Sequence, residues 1–183
     1  DLPKFDIQIR YTLILSGENL DEIKLGFSSN HNHSIAKSIQ NNYKSEISKD
    51  PKFLFDHYDE LVKVNNIEIT DKEIIELKST CSTILKKNRG IIVHIRNDED
   101  KILSSILYVW DNKRSYFLLG ARNVHAEGIY ASTFSHWMMI KHLFDNYNLK
   151  QFDFEGVNSP SRGLFKLKFG GTLYHYYHLL LKK

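Results

Sequence analysis

Three apolar stretches between residues 90 and 120 limit the folds open to this chain more than any other feature. Residues 90–96 set Ile91, Val93 and Ile95 against Ile92 and His94. Residues 102–110 and 115–120 follow, after a polar turn at 97–100 and a second turn at Asp111-Asn112-Lys113. Connections this short join antiparallel neighbours, so the three stretches read as a β-meander. A meander has apolar faces to cover, and the rest of the chain must supply the cover.

Helices dominate before residue 89, after a first strand at 7–15. A short helix is expected over 20–27 and another over 30–42, with Ile35 and Ile39 on one face. Asp50-Pro51 starts a third, because Asp caps and Pro in the first turn loses no needed hydrogen bond. Thr70-Asp71-Lys72-Glu73 is a capping box. It opens a helix whose stripe is Ile74, Leu77, Cys81, Ile84 and Leu85, closed by Asn88-Arg89-Gly90. Beyond the meander, a loop over 121–128 leads to a helix at 130–147, then a strand at 151–155. A helix at 160–169, ended by Gly170-Gly171, precedes a last strand at 172–181. The late strand–helix–strand step calls for a parallel neighbour pair. The expected fold class is α+β, with a central mixed, mostly antiparallel sheet flanked by helices, in a single domain over 1–183.

Composition excludes several functions. Hydrophobic residues are 42% and charged residues 26%, enough for an ordinary core. A net charge of +3 is too small to mark a nucleic-acid binder by itself. The single cysteine excludes a disulfide framework and a cysteine-rich zinc site, and fits a reducing, cytoplasmic setting. On its helical stripe Cys81 is expected to be a buried, inert thiol. No run approaches the ~18 apolar residues of a membrane span. The histidines pair as His31/His33, His136/His142 and His175/His178, without the HExxH pattern or a completing carboxylate, so no metal is expected.

The element order resembles the GNAT acyltransferase fold. Particular residues sharpen the likeness towards FemABX-like proteins. Arg10-Tyr11-Thr12 lies on the first strand, and His33-Ser34-Ile35-Ala36-Lys37 sits where those proteins carry a basic helix. Gln151-Phe152-Asp153-Phe154-Glu155-Gly156 resembles their aspartate strand ending in glycine. Gly163-Leu164-Phe165-Lys166-Leu167-Lys168-Phe169-Gly170-Gly171 resembles their phenylalanine–lysine pair and phenylalanine–glycine close. The resemblance covers roughly residues 8 to 181. It implies an N-acyltransferase that moves an acyl group from an acyl-CoA-type donor to an amine on a small molecule or cell-wall precursor. Full family members carry two such domains, and this chain resembles one half.

Acyl transfer to an amine requires a proton to leave the amine, a carbonyl oxygen to be stabilised as it becomes negative, and alignment of both reactants. The resemblance gives Lys166 the second task and makes Phe165 an aligning wall. Otherwise Lys166 is a solvated helical lysine and Phe165 a core residue. Alternation turns Asp153 away from Phe152 and Phe154. It then either takes the amine proton in a cleft or caps the following turn. Glu155 shares its face as a substrate-binding carboxylate. Lys37 and Tyr11 are further substrate-binding candidates, Lys37 for an acidic group and Tyr11, with Arg10, for an acceptor groove.

The cleft is expected between the strands at 115–120 and 151–155, near Gly120 and Asp153. Ordinary acetyl-CoA members carry Arg/Gln-x-x-Gly-x-Gly/Ala after the earlier strand, where backbone N–H groups hold a pyrophosphate. Here the glycine spacing differs. Gly120, Arg122, Gly128, Ala131 and Ser132 are the cofactor-binding candidates, with Glu127 opposing a phosphate. Two alternatives stand beside the acyl-CoA reading. One is aminoacyl-tRNA-dependent transfer to peptidoglycan, for which the basic residues Arg162, Lys166, Lys168 and Lys182-Lys183 form only a thin track. The other is a non-catalytic partner domain. Six strands are legible, and the chain ends two residues after the last of them, where GNAT proteins usually have a seventh, so an unpaired final strand predicts a homodimer or a truncated chain.

Overall fold

The computed structural model describes residues 5–181. It begins with the long strand β1 (Phe5–Ser16), followed by α1 (Leu20–Leu25), α2 (Ser29–Gln40) and a short strand, β2 (Lys44–Ser48). Helices α3 (Lys52–Val64) and α4 (Asp71–Lys86) lead into the meander of β3 (Gly90–Arg96), β4 (Ile102–Trp110) and β5 (Ser115–Arg122). Helix α5 (Ala131–Tyr147), β6 (Gln151–Gly156), α6 (Pro160–Leu167) and β7 (Thr172–Leu181) complete the order. The capping box forms at Thr70 and Glu73, and Asp50 accepts from the Lys52 N–H at 3.0 Å. No helix among the described residues is long and apolar enough to cross a membrane.

The sheet has seven strands in the order β2-β3-β4-β5-β6-β1-β7. β5 and β6, joined through α5, form a parallel pair and the other pairings are antiparallel; the last strand–helix–strand step gives no neighbour pair, because β1 lies between β6 and β7. The count of six strands is corrected by β2. Its only apolar residue is Ile47, so it carries no alternation for a sequence reading to find. Main-chain pairing with β3 and a 2.7 Å ion pair from Arg96 Nε to Glu46 hold it at the edge. At the opposite edge lies β7, exposed along all ten residues. β1 sits between β6 and β7, far from its neighbours in sequence.

The sheet separates two apolar cores. One joins β1, β3, β4 and β6 to α1, α2 and α5, and is dense in rings, including Trp137, Phe152, Phe154 and Phe169. The other sets Leu54 of α3 and Cys81 and Leu85 of α4 on Ile92, Leu107 and Leu119. Burial pushes the Cys81 thiol up to about 11, which makes it a poor nucleophile. Helix α5 is buried on most sides, with Phe134, Trp137, Met139, Ile140 and Leu143 in the core and Thr133, Ser135 and His136 buried among them.

Two glycines after α6 set how that helix sits. Gly170 has φ +76°, and a Cβ there would lie 2.4 Å from the carbonyl oxygen of Gly26 at the end of α1. Both the backbone region and the space demand glycine. Gly170→Ala is expected to cost about 2 kcal/mol or more, read as a lower urea midpoint at unchanged slope.

Candidate active site

β5 and β6 pair over only two rungs, Ser115↔Phe152 and Tyr116↔Asp153. Beyond them the strands part. β5 carries an irregularity against β4 between Leu107↔Leu119 and Tyr108↔Phe117. β6 carries another against β1, between Thr12↔Gly156 and Ile14↔Asp153. Irregularities of this kind bend the strand that carries them. β5 stays paired with β4 as far as Arg122, so its other side presents main-chain groups to the opening.

Lys166 occupies the mouth of this wedge. Its Nζ donates to the carbonyl oxygen of Gly156 on β6 at 3.0 Å and lies 5.3 Å from the centre of the Phe117 ring on β5. Burial pulls the ammonium below the ordinary lysine value. Glu155 opposes that shift and Arg162 adds to it. One of three N–H donors is committed to Gly156, which leaves two for a ligand. The helix that carries Lys166 is fixed from several sides. A Cβ on Gly163 would sit 2.3 Å from the Val157 carbonyl oxygen, so α6 rests directly on the preceding loop. Asn158 ties that loop to β1, accepting from Tyr11 N at 2.9 Å and donating to Tyr11 O at 3.0 Å. His31 of α2 contacts the Phe165 carbonyl at 3.0 Å.

Asp153 is tied into a network of hydrogen bonds. It is 5% exposed, and both its oxygens are engaged. Thr12 Oγ1 donates to Oδ1, as does the Glu155 N–H at 2.8 Å, and Arg114 Nη1 reaches Oδ2 at 3.5 Å. The bond from the Glu155 N–H is the contact that the turn-capping alternative calls for. Glu155 is exposed as a residue, yet loss of hydration at its carboxyl, then Asp153, raise it above the usual carboxylate value, with Lys166 opposing. Phe165 packs among His31, His136 and Phe169 as part of the ring cluster.

The other candidates are spread along the opening. Gly120 lies on the β5 wall, where a Cβ would press the Phe117 ring at 3.0 Å. Arg122 is exposed at the end of β5. Gly128 packs on Leu103, where a Cβ would come within 3.1 Å. Ala131 is fully buried and its N–H is taken by the Gly128 carbonyl at 3.0 Å, so it offers nothing to a phosphate. Ser132 is half-buried in the first turn of α5. Lys37 lies on α2 and donates to Gln40 at 2.9 Å. Tyr11 is exposed on β1, one residue from Thr12 and held by Asn158. Lys182 and Lys183 lie outside the described residues.

Phe117 and Asn158 carry the geometry and were not legible as site residues. Phe117 reads as one more strand aromatic. Asn158 stands two residues before Pro160, an ordinary turn setting. Below the wedge, Tyr108 and His136 share a 2.9 Å hydrogen bond, both buried. Burial, with Lys166 and His31 adding to it, pulls His136 down to about 3. Two shallow concavities, one lined by Arg89, Trp110 and Asp111 and one by Lys49, Pro51 and Lys86, lie away from the wedge. Neither gathers the buried, charged groups found here.

A mixed sheet opened between a parallel pair, with a helix leading from one parting strand to the other, is a GNAT-like fold. Within that class the arrangement is FemABX-like. No family model matches the chain, and no curated protein matches it. Solved structures do. FemX is similar at a TM-score of 0.72 with 14% identity, over 93% of this chain and 62% of that one. A conserved protein of unknown function from Bacteroides thetaiotaomicron is similar at 0.71 with 14% identity, over 98% and 63%. A tandem GNAT protein from the clavulanic acid biosynthesis pathway is similar at 0.55 with 9% identity, over 98% and 53%. The chain thus spans less than two thirds of each.

The buried histidine sets a pH dependence. A group with its folded value below its unfolded value stabilises the fold above the unfolded value, and that stability is lost as pH falls towards the folded value. For His136 the window runs from 6.5 down to about 3. Unfolding free energy from urea titration is expected to fall by about 2 kcal/mol between pH 7 and pH 5 through His136 alone. His31, His57 and His94, all lowered by burial, add in the same direction.

Proposed function

We propose that this protein transfers an acyl or aminoacyl group from an activated donor to an amine, in the wedge between β5 and β6. The observation that carries the reading is the Lys166 ammonium, half-buried at the mouth of the wedge with two donors uncommitted. In acyl transfer the amine adds to the carbonyl carbon and the oxygen becomes negative. A fixed cation facing that oxygen lowers the barrier by about 3 kcal/mol, in the range of other oxyanion donors. The free side of β5 suits an extended, amide-bearing donor arm, because its N–H and C=O groups gain partners when the arm binds.

An acyl-CoA thioester is the first donor class, and the acceptor is an amine on a small molecule or cell-wall precursor. One observation favours a second reading, an aminoacyl ester carried on tRNA. The start of α5 is poorly suited to a pyrophosphate: the Ala131 N–H is spent, Gly128 is packed on Leu103, and Glu127 is exposed. FemX, whose fold this chain shares, is the neighbour that fits the second reading within the resemblance.

Melting curves with desulfo-CoA separate the two donors. A saturable rise in Tm, following ligand linkage, supports the thioester. No rise at millimolar concentration removes it and leaves the aminoacyl ester. With whichever donor turns over, Lys166→Ala is expected to lower kcat about 100-fold at near-wild-type Tm. Unchanged kcat in that variant would overturn the role of Lys166.

A further inference from the structure

Among the described residues six non-glycines have left-handed backbone: Asn42, Asn66, Asn88, Asp100, Asn148 and Glu155. Five are Asn or Asp, whose short side chains tolerate that region. Glu155, at φ +60°, is the exception. It stands in the β6 irregularity, where three steps on β6 oppose two on β1. Its N–H donates to the buried Asp153 carboxylate, which holds the backbone in place. Glycine would meet this requirement without strain. The fold therefore needs the bend and has no evident need of a glutamate there.

The side chain is equally unattached. No hydrogen bond or ion pair ties the Glu155 carboxylate to any described residue, although it feels the charge of Lys166. Lys166 has turned to the Gly156 carbonyl instead of closing on it. A cation and an anion thus share the mouth of the wedge without pairing. That arrangement suits a reaction in which oxygen becomes negative at one point while an amine gives up a proton at another. Asp153, the other carboxylate on β6, is already fully engaged.

We propose that Glu155 is the catalytic carboxylate of this site: it binds the acceptor as a primary ammonium and takes its proton. This rests on the acyl-transfer reading above. The ammonium gives one proton to the Glu155 carboxylate and becomes a neutral amine. The amine adds to the donor carbonyl, forming the C–N bond. The C–S or C–O bond to the leaving group then breaks, and a second N–H proton leaves with the thiol or hydroxyl. Glu155 returns its proton to solvent. An amide, the free thiol or alcohol and one proton result.

Ethylammonium chloride at neutral pH tests the amine site without any donor. Titrated into isotope-labelled protein, it is expected to shift the amide resonances of Glu155 and Gly156 saturably. Glu155→Gln, which keeps shape and loses charge, should weaken this binding at least tenfold. Lys166→Met should bind the ammonium no less tightly than wild type. Glu155→Gly should lose the binding yet melt above wild type, since it relieves the left-handed strain. Once a donor turns over, Glu155→Gln should also remove the low-pH limb of kcat/KM. Absence of saturable shifts in the wild type, or unchanged binding in Glu155→Gln, overturns the proposal. If ammonium binding holds while no acyl donor turns over, the acyl-transfer reading fails and the amine site stands.

Discussion

The buried carboxylate of Asp153 holds together the place where the sheet opens. It lies on β6, accepts from Thr12 on β1 and from the Glu155 N–H on its own strand, and faces Arg114, the residue just before β5. Three strands meet at one charge. A buried carboxylate is stable only when its lone pairs are met, and this one is met by a hydroxyl, an amide and a guanidinium. The last rung between β5 and β6 is at the same residue. Pairing is secured up to Asp153 and released just beyond it. The wedge is therefore a feature with a fixed origin, and not a frayed end of the sheet.

From that origin the position of Lys166 is over-determined. The loop after β6 is tied to β1 by the Val157 N–H and the Asn158 amide, both bonded to the Tyr11 main chain. Gly163 lets α6 settle on that loop, and Gly170 lets the chain beyond α6 pass against Gly26. The rings of Phe165 and Phe169 anchor the other side of α6 among His31, His136 and Phe154. A long, flexible lysine side chain loses entropy when held in one place. Here the hydrogen bond to Gly156 and the Phe117 ring offset part of that loss. The charge is thereby placed before any substrate arrives, which is what electrostatic stabilisation of a transition state requires.

Local signals carried much of the fold. The capping box at Thr70, the meander over 90–120 and the glycine pair after α6 each report a short-range constraint, and short-range constraints are written in adjacent residues. β2 was not legible because an edge strand exposed on both faces needs no apolar alternation. The insertion of β1 between β6 and β7 was not legible because strand order depends on contacts more than a hundred residues apart in sequence. In the site, the Phe165-Lys166 pair stood out through a family likeness, whereas Phe117 and Asn158 did not, being ordinary residues made important by position. Alternation predicted one face for Asp153 and Glu155. The left-handed backbone at Glu155 breaks that rule, so one is drawn into the hydrogen-bonded knot and the other is left beside Lys166.

This division of the two carboxylates bears on what the wedge recognises. On the proposed acyl-transfer reading, a donor arm held by β5 would contact main-chain groups, and those do not distinguish one carbonyl derivative from another. The head of the donor would lie towards the start of α5, where Tyr130 provides no side-chain cap and the Ala131 N–H is already engaged. Charge selectivity is then concentrated at the strand end near Gly156, where the Lys166 cation and the Glu155 anion stand apart. For the proposed reaction, a site built this way would discriminate by the charges that develop more than by the shape of a bound head group. That is consistent with one open sheet serving donors as different as a thioester and an aminoacyl ester.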